Sequence, residues 1–363
     1  MRRVLLLLAL LMLTACGADT GGTTTPVATA VTAASSASSA TSASMLSASS
    51  EPAGSPQALR AITMAMPYTP NIQFAHFYVA DKKGYYARQG LKVSFDYNYE
   101  TDVVQRIVQG SVQFGLSSGD SVLLARAQGL PVVTVATNSQ KFPVVLFSKA
   151  DQNIKTPADL RGKSVGIPGH FGASYIGLLA LLYANHLSES DLNVQDIGFT
   201  QLAAVSQGKV QVGVGYANNE PLVLSQQGVN VNVMRVSDYY PLASDGLITN
   251  ASMVSSDQAM VHGFVQATLQ GMRDVLANPE EAFSISLDYV PELRKADQST
   301  QALQKRVLQE TMTYWQSDVS ASQGLGYIDQ HQWQATEKFL TDSKLLKHDV
   351  DLSQAFTNQF IKP

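Results

Sequence analysis

The residues of this chain that could do chemistry are concentrated in short polar and aromatic segments that follow predicted strands. The first such segment, 67–72, follows the apolar run Ile62 to Met66 and precedes a helical pattern that begins near Gln73. Pro67 and Pro70 interrupt both a continuing strand and an immediate helix. Open α/β sheets bind small molecules in loops of this kind, at the carboxyl ends of their strands. We therefore expect a small-molecule site to which this loop contributes.

The other loops that end predicted strands add hydroxyl, amide, carboxyl and aromatic side chains to the same expected site. The candidate ligand contacts are Tyr68, Asn71, Phe74, Ser118, Asp120, Asn138, Phe142, His170, Phe171, Ser174, Tyr175, Tyr216, Asn218, Glu220 and Trp315. Lys141 is the only cation in these loop segments of the sequence, so an anion would depend on helix N-termini. Aromatic faces stack on flat rings, with about 0.5–1.5 kcal/mol per pair beyond the buried area. The set therefore favours a planar, uncharged ligand.

Some of these side chains have a purely structural interpretation as well. Trp315 stands on a helical pattern and could equally be a core residue. The glycines that flank His170 and Phe171 could simply provide a tight turn. Glu220 could be a carboxylate at a helix start, stabilised by the helix dipole. The sequence alone leaves these alternatives open.

The patterns of metal and nucleophilic catalysis are absent from the sequence. Its 6 histidines show no pairing at metal-ligand spacing, and Cys16 is the only cysteine. There is no Gly-x-Ser-x-Gly segment of the kind that carries a catalytic serine. We expect no metal site, no catalytic cofactor and no enzymatic activity. A net charge of −4 without a basic run also argues against nucleic acid as a partner.

The N-terminus has the features of an export signal. Arg2 and Arg3 precede an apolar run from Val4 to Leu13, which is too short to span a bilayer. The run ends in Leu-Thr-Ala-Cys16, which resembles the lipobox of bacterial lipoproteins. That resemblance implies a signal peptide at 1–15 and a lipid on Cys16, with the protein on the outer face of the cell membrane. The Ala-, Ser- and Thr-rich segment 16–57 is expected to be a disordered tether.

From 59 onward, predicted strands alternate with helices in two blocks, at about 59–147 and 150–240, followed by a mostly helical tail. Within the second block, 197–200 and 210–215 are predicted strands. This alternation indicates an α/β fold with parallel sheets.

Several motifs are similar to those of periplasmic-type substrate-binding proteins related to the thiamine-pyrimidine group. They are Pro70-Asn71, Phe77-Tyr-Val-Ala80, Gly84-Tyr-Tyr86, Gly90-Leu-Lys-Val93, Asp159-Leu-Arg-Gly-Lys163 and Tyr216 to Glu220. The resemblance implies a two-lobed, type II periplasmic-binding-protein fold with the ligand in the cleft between the lobes. It places lobe 1 at 58–147 plus 241–363, with the helical tail packed on it, and lobe 2 at 148–240. It further implies a monomeric solute-binding protein that delivers its ligand to an ABC permease and its ATPase.

Two ligands follow from the resemblance. The segment from Gln73 to Phe77 lacks the Asn-His-Thr-Gly expected of pyrimidine binders and looks more like the riboflavin-binding lipoproteins. Riboflavin is therefore the favoured ligand, and a thiamine-precursor pyrimidine, formylamino- or hydroxymethyl-substituted, is the alternative. A third interpretation, a pyrimidine-synthesising enzyme of the same fold, implies a cysteine-rich motif, which this chain lacks.

Overall fold

The computed structural model describes residues 58–98 and 100–362, and these residues form two mixed β-sheets flanked by helices. The strands are β1 (Arg60–Met66), β2 (Leu91–Tyr97), β3 (Phe114–Ser118), β4 (Val132–Thr137), β5 (Val144–Lys149), β6 (Ser164–Ile167), β7 (Asn193–Asp196), β8 (Val212–Tyr216), β9 (Val231–Arg235) and β10 (Asp245–Asn250). Interior strands such as β3 are buried along their whole length because helices cover both faces of the sheet.

The first sheet has the strand order β2-β1-β3-β10-β4. β1 pairs in parallel with β2 and β3, whereas β10 runs antiparallel between β3 and β4. The second sheet repeats this plan in the order β7-β6-β8-β5-β9, with β5 as its antiparallel strand. We call each sheet with its flanking helices lobe 1 and lobe 2. The α/β fold with two lobes that the sequence predicts is confirmed.

The chain crosses from lobe 1 to lobe 2 between β4 and β5, and returns between β9 and β10. The sequence placed 144–147 in lobe 1, but β5 pairs with β8 and β9 and therefore belongs to lobe 2. The first crossover is thus the segment 138–143. An apolar strand does not reveal from its sequence which of two sheets it joins, since either sheet offers a buried position.

The predicted strand at 197–200 is also wrong. The strand of this region is β7, and Ile197 follows it directly. Gly198 has φ +60°, which ends the extended conformation. β10, which the sequence analysis did not identify, completes the first sheet after the second crossover.

Helices pack on both sheets and form the C-terminal part of the chain. They are α1 (Ala75–Lys82), α2 (Tyr85–Arg88), α3 (Glu100–Val108), α4 (Gly119–Ala127), α5 (Gly172–Ala184), α6 (Gln201–Ser206), α7 (Glu220–Gln226), α8 (Ala251–Ser256), α9 (Gln258–Ala277), α10 (Pro279–Ser286), α11 (Pro291–Arg294), α12 (Gln298–Tyr314), α13 (Asp318–Gln323), α14 (Gln330–Asp342) and α15 (Leu352–Ala355). A 3₁₀ turn, Ile72–Phe74, precedes α1, and its N-terminus is capped by the Asn71 side chain.

The C-terminal helices contact both lobes. α9 packs against α1 of lobe 1, and α14 packs against α4. α12 packs against the 3₁₀ turn of lobe 1 on one side and against α7 of lobe 2 on the other. The first crossover is tied to this region, because the Gln140 backbone N–H donates to the Tyr314 carbonyl at 2.7 Å and Gln332 Nε2 donates to the Gln140 carbonyl at 2.8 Å. The tail therefore supports the hinge as well as lobe 1.

Candidate functional site

The first part of the site is built at the carboxyl ends of the lobe 1 strands. β3 ends at Ser118, and Asp245, the first residue of β10, lies directly opposite it. Asp120 stands in the first turn of α4 and Glu100 in the first turn of α3. Asn138, the residue after β4, donates a hydrogen bond of 2.6 Å from its side chain to Asp245 Oδ2. The topology thus gathers three carboxyl groups at one sheet edge.

The second part comes from the corresponding edge of lobe 2. β8 ends at Tyr216, whose backbone N–H donates to Glu220 Oε2 at 2.9 Å. Glu220 is only 8% exposed, in the first turn of α7. A side chain at Gly215 would overlap the Glu220 carboxylate, so the buried acid requires a glycine at that point of β8. Sequence and packing together fix this carboxylate beneath Tyr216.

The two edges face each other. Burial raises the pKa of the Tyr216 hydroxyl well above its usual value, and so do the charges of Glu100, Asp245, Asp120 and Glu220. Because three of these acids belong to lobe 1 and Tyr216 to lobe 2, the side chains lie across the interlobe cleft from one another. The tyrosine therefore stays neutral and can donate a hydrogen bond. We call these five residues the cleft cluster.

Crowding of the acids also perturbs their own titration. Burial, reinforced by the Asp120 charge, raises the pKa of Glu100 to about 7. Burial raises the pKa of Asp120 to about 6, although the Ser118 hydroxyl acts in the opposite direction. Burial likewise raises the pKa of Glu220, against the backbone amides that stabilise its charged form. Such groups titrate as a coupled set, so near neutral pH the cleft cluster holds both carboxylates and protonated carboxyls.

Several polar atoms around the cluster are buried without a hydrogen-bond partner among the described residues. They are Asp120 Oδ1, Asn138 Oδ1, Ser117 Oγ, Trp315 Nε1 and both ring nitrogens of His76. Burial lowers the pKa of His76 to about 3, against a smaller opposite effect of the adjacent Asn138. Buried polar groups are normally hydrogen-bonded, so a group of unpartnered ones indicates a place where a ligand or water binds.

A hydrogen bond joins the lobes beside the cluster. Asn218, in the loop after β8, donates from its side chain to Thr311 Oγ1 of α12 at 2.9 Å. The same Nδ2 lies 3.4 Å from Oε1 of Gln73, in the 3₁₀ turn of lobe 1. This contact holds the lobe 2 loop against lobe 1.

The structure brings together five of the residues that the sequence selected as ligand contacts. These are Ser118, Asp120, Asn138, Tyr216 and Glu220. Asn218 and Asn71 lie next to them at the lobe junction, where Asn71 Oδ1 accepts from the Gln73 backbone N–H at 3.1 Å. As ligand contacts, all of them remain predictions.

The other selected residues lie either in the cores or at the rim. Phe74, Phe142 and Trp315 are 5%, 1% and 1% exposed and pack in hydrophobic cores. Ser174 is also buried, on α5. Tyr68 and Phe171 are 44% and 50% exposed. The aromatic side chains that the sequence assigned to the cleft are therefore divided between several environments.

His170 and Tyr175 are engaged with acids of lobe 2. The His170 ring nitrogens lie 3.0 Å from Glu189 Oε1 and 2.9 Å from Asp196 Oδ1. The Tyr175 hydroxyl donates to Glu189 Oε2 at 2.9 Å. In this arrangement both side chains serve a polar network beside β7.

Sequence reasoning did not select Glu100, Asp245 or His76. The sequence analysis missed Asp245 because it did not recognise β10, and the pairing of β10 with β3 is what places Asp245 beside Ser118. Glu100 did carry a signal, as an acid at the start of a helix that follows a strand.

A surface hollow of about 540 Å³ lies beside α4 and is lined by Leu124, Ala127, Gln128, Leu345, Lys347 and His348. It contains none of the buried unpartnered atoms. No group of His, Cys, Asp or Glu suited to a metal ion occurs within the described ranges. Among those residues, none of the helices has the length and apolar character needed to cross a membrane.

Comparison with known proteins places this geometry in a family. A family model described as NMT1/THI5 like matches residues 71–282. The chain is 46% identical to the riboflavin-binding protein RibY of Chloroflexus aurantiacus over 358 residues, covering 98% of this chain and 96% of that protein. It is 27% identical to the formylaminopyrimidine-binding protein of Halalkalibacterium halodurans, covering 86% and 94%. More distant relatives are named 4-amino-5-hydroxymethyl-2-methylpyrimidine phosphate synthase, including that of Legionella pneumophila at 23% identity.

Solved structures agree on the fold. The periplasmic aliphatic sulphonate binding protein SsuA from Escherichia coli superposes with a TM-score of 0.64 at 16% identity, covering 85% of this chain and 95% of that one. The two-lobed fold of periplasmic binding proteins is thus confirmed for the described residues.

Proposed function

The chain belongs to the NMT1/THI5-like family, and from that premise we propose that it is the solute-binding protein of an ABC importer whose ligand is riboflavin. The observation that carries the proposal is the cleft cluster, in which Tyr216 of lobe 2 faces carboxyl groups of lobe 1 beside unpartnered buried polar atoms. The 46% identity to a protein named riboflavin-binding supports the choice of ligand.

The chemistry of the cluster suits riboflavin. Its ribityl chain is rich in hydroxyl donors, and carboxylates such as those of Asp120 and Asp245 accept hydrogen bonds from hydroxyl groups. The unpartnered Asn138 Oδ1 could accept from the ring imide N–H. Tyr216 offers both an aromatic face for the flavin and a hydroxyl donor. We propose Asn71 and Asn218, which lie next to the cluster at the lobe junction, as further ligand contacts.

A fluorescence titration tests the proposal. Residues 17–363, which include the whole described body, should bind riboflavin and quench its emission, because a stacked aromatic ring quenches flavin fluorescence. A ligand that binds only the folded state should also raise the melting temperature. Absence of both quenching and a thermal shift at ligand concentrations far above those of the protein would exclude riboflavin.

A thiamine-precursor pyrimidine is the second candidate, since a 27% identical relative is named for formylaminopyrimidine. This ligand is smaller, and an amino group on its ring would also donate to carboxylates. The same thermal-shift assay distinguishes the two, because a pyrimidine-specific protein should respond to formylamino- or hydroxymethyl-pyrimidine and not to riboflavin.

We further propose that the protein binds its ligand without changing it. The relatives named as synthases are 23–26% identical, well below the identity of the riboflavin-binding relative. Chromatography of ligand recovered after prolonged incubation should return the compound intact. A new product in that eluate would indicate an enzyme.

The proposal for location rests on the sequence of 1–57, which lies outside the described residues. A lipid on Cys16 would anchor the protein to the outer face of the cell membrane, and the Ala-, Ser- and Thr-rich segment would act as a tether. As a monomer on such a tether, the body could reach an ABC permease in the same membrane.

A further inference from the structure

We propose that the cleft cluster is a charge filter, which admits the uncharged form of the ligand and rejects its phosphate ester. This inference rests on the proposed function and adds the property by which the site distinguishes a free vitamin from its phosphorylated form. It is drawn from the positions of the acids relative to the helices that end at the cleft.

The argument begins with the helix N-termini. Exposed backbone N–H groups and the helix dipole make such ends the usual place for a phosphate to bind. The first turns of α3, α4 and α7 carry Glu100, Asp120 and Glu220 respectively. Glu100 and Asp120 act on Tyr216 from the other lobe, so α3 and α4 present their own carboxyl groups toward the cleft. Glu220 lies beneath Tyr216 and accepts a hydrogen bond from its backbone N–H. A phosphate approaching α3 or α4 would meet a negative charge rather than free N–H donors.

A second observation, of buried acceptor atoms without partners, supports a ligand site beside these acids. Asp120 is 2% exposed, yet its Oδ1 has no hydrogen-bond partner among the described residues. The Asn138 Oδ1, beside Asp245, is likewise buried and unpartnered. Both atoms are hydrogen-bond acceptors, so the ligand group that binds them is a donor, such as a hydroxyl or N–H group. A fully ionised phosphate has no hydrogen to donate.

No cation is among the strongest charges that act on Tyr216. Arg235, at the end of β9, lies with Nη2 3.3 Å from Glu310 Oε1 and beside Tyr314. Lys141, in the first crossover, is exposed. The strongest charges acting on Tyr216 are four carboxylates. The start of α5 has no acid in its first turn and is therefore the alternative position for a phosphate.

The expected discrimination is substantial. At an effective dielectric constant of about 20, a charge about 8 Å from a like charge is repelled strongly enough to weaken binding on the order of tenfold. With several carboxylates present, the phosphate ester should bind at least about tenfold more weakly than the free ligand even if partial protonation relieves part of the repulsion. Removing one carboxylate should reduce the ratio of the two dissociation constants, phosphate ester to free ligand, about threefold or more.

Two ligand pairs test the filter in residues 17–363 at pH 8: riboflavin with riboflavin 5′-phosphate, and hydroxymethylpyrimidine with its phosphate. Dissociation constants are measured by calorimetry for the unaltered sequence, for Glu100→Gln and Asp120→Asn, and for Glu292→Gln. Glu292 is exposed on α11 and serves as the matched control for removal of a charge. Circular dichroism verifies that each variant folds. If Glu100→Gln does not fold, the comparison rests on Asp120→Asn alone.

In whichever pair the free compound binds, we expect its phosphate to bind at least about tenfold more weakly. Glu100→Gln or Asp120→Asn should narrow that ratio, whereas Glu292→Gln should leave it unchanged. If the phosphate binds as tightly as the free compound, or if the cleft variants leave the ratio unaltered, the filter is refuted while the transport proposal stands. If only the pyrimidine pair binds, riboflavin is refuted and the filter is judged on that pair. If neither pair binds, both proposals are refuted.

Discussion

At the scale of single residues, Glu100 and Asp120 of the cleft cluster are acids with strongly perturbed pKa values. Burial, together with the Asp120 charge, raises the pKa of Glu100 to about 7, and burial raises that of Asp120 to about 6. Their usual pKa values are 4.5 and 3.8, so both acids ionise at a lower pH in the unfolded chain than in the folded protein. Stability from these groups is therefore fully present below about pH 4 and is lost as the pH rises through about 7. The site keeps charged groups at the expense of stability, as binding sites often do.

This linkage yields the first prediction. Glu100→Gln should raise the melting temperature of the ligand-free body at pH 7.5 by about 2–4 °C. This is the shift that corresponds to a gain of about 1 kcal/mol in the free energy of unfolding for a body of this length. The gain should shrink toward zero near pH 4.5, where the glutamate is protonated in the folded state. Calorimetry at the two pH values measures it, with Glu292→Gln as control. An equal gain at both pH values would show that the effect is not one of titration.

At the scale of elements, lobe 1 depends on a close approach of two helices. α9 packs against α1 at Gly271, where a Cβ would overlap the backbone carbonyl oxygen of His76 and crowd Ala80. Backbone cannot move aside as a flexible side chain can, so the glycine allows these helices to meet. Since His76 lies in the first turn of α1, next to the site, this contact also positions that turn.

The second prediction concerns this contact. Gly271→Ala should destabilise the body by about 1–2 kcal/mol, because an overpacking cost of up to about 3 kcal/mol outweighs the gain of about 1 kcal/mol in helix propensity. Gly263→Ala in the same helix is the matched control, since its Cβ would meet only the side chain of Gln89, at 3.1 Å. Urea unfolding compares the two. Equal stabilities would mean that α1 and α9 can separate without cost.

At the scale of the whole molecule, the lobes are joined by more than the two crossovers. α12 packs on both of them, and Asn218 donates to Thr311 Oγ1 of that helix at 2.9 Å. A contact made between lobes favours the closed arrangement by the free energy that it contributes. For a neutral hydrogen bond that contribution is about 1 kcal/mol.

Removal of this hydrogen bond gives the third prediction. Asn218→Ala should increase the dissociation rate of the bound ligand about threefold to tenfold, because the closed state loses one of its interlobe bonds. The neighbouring Asn219, whose side chain is exposed and makes no cap hydrogen bond, provides the control Asn219→Ala. Stopped-flow displacement of riboflavin measures both rates. If the two variants release ligand equally fast, Asn218 does not hold the lobes together.

The anchor gives the fourth prediction. Cys16→Ser should abolish incorporation of labelled palmitate into the full chain, because Cys16 supplies the only thiol in the sequence. Ala18→Ser, two residues further on, should be labelled normally. Persistent labelling of the serine variant would exclude the proposed lipid on this residue.

Comparison of sequence and structure shows which features are local. Alternation of strand and helix, together with proline and glycine positions, was sufficient to predict the α/β class and strands such as β2 with its observed bounds. Ser118, Asp120, Tyr216 and Glu220 were selected because they lie at or shortly after the ends of predicted strands, a relation that can be read along the chain. The proposed signal, lipid and tether are likewise local sequence features.

Only the tertiary structure decided which strands share a sheet and which side chains meet. β5 joins lobe 2 and β10 returns to lobe 1 through pairings between residues far apart in the chain, which no local pattern specifies. The same long-range pairing sets Asp245 beside Ser118, and the facing of the two lobes brings Tyr216 to the acids. Phe142 and Trp315 are buried in cores rather than in the cleft. The sequence could not distinguish the two places, because an aromatic side chain is equally suited to a core and to the wall of a binding site. Local sequence determined which elements form and which side chains stand at strand ends, whereas contacts across the chain decided which of those side chains meet at the cleft.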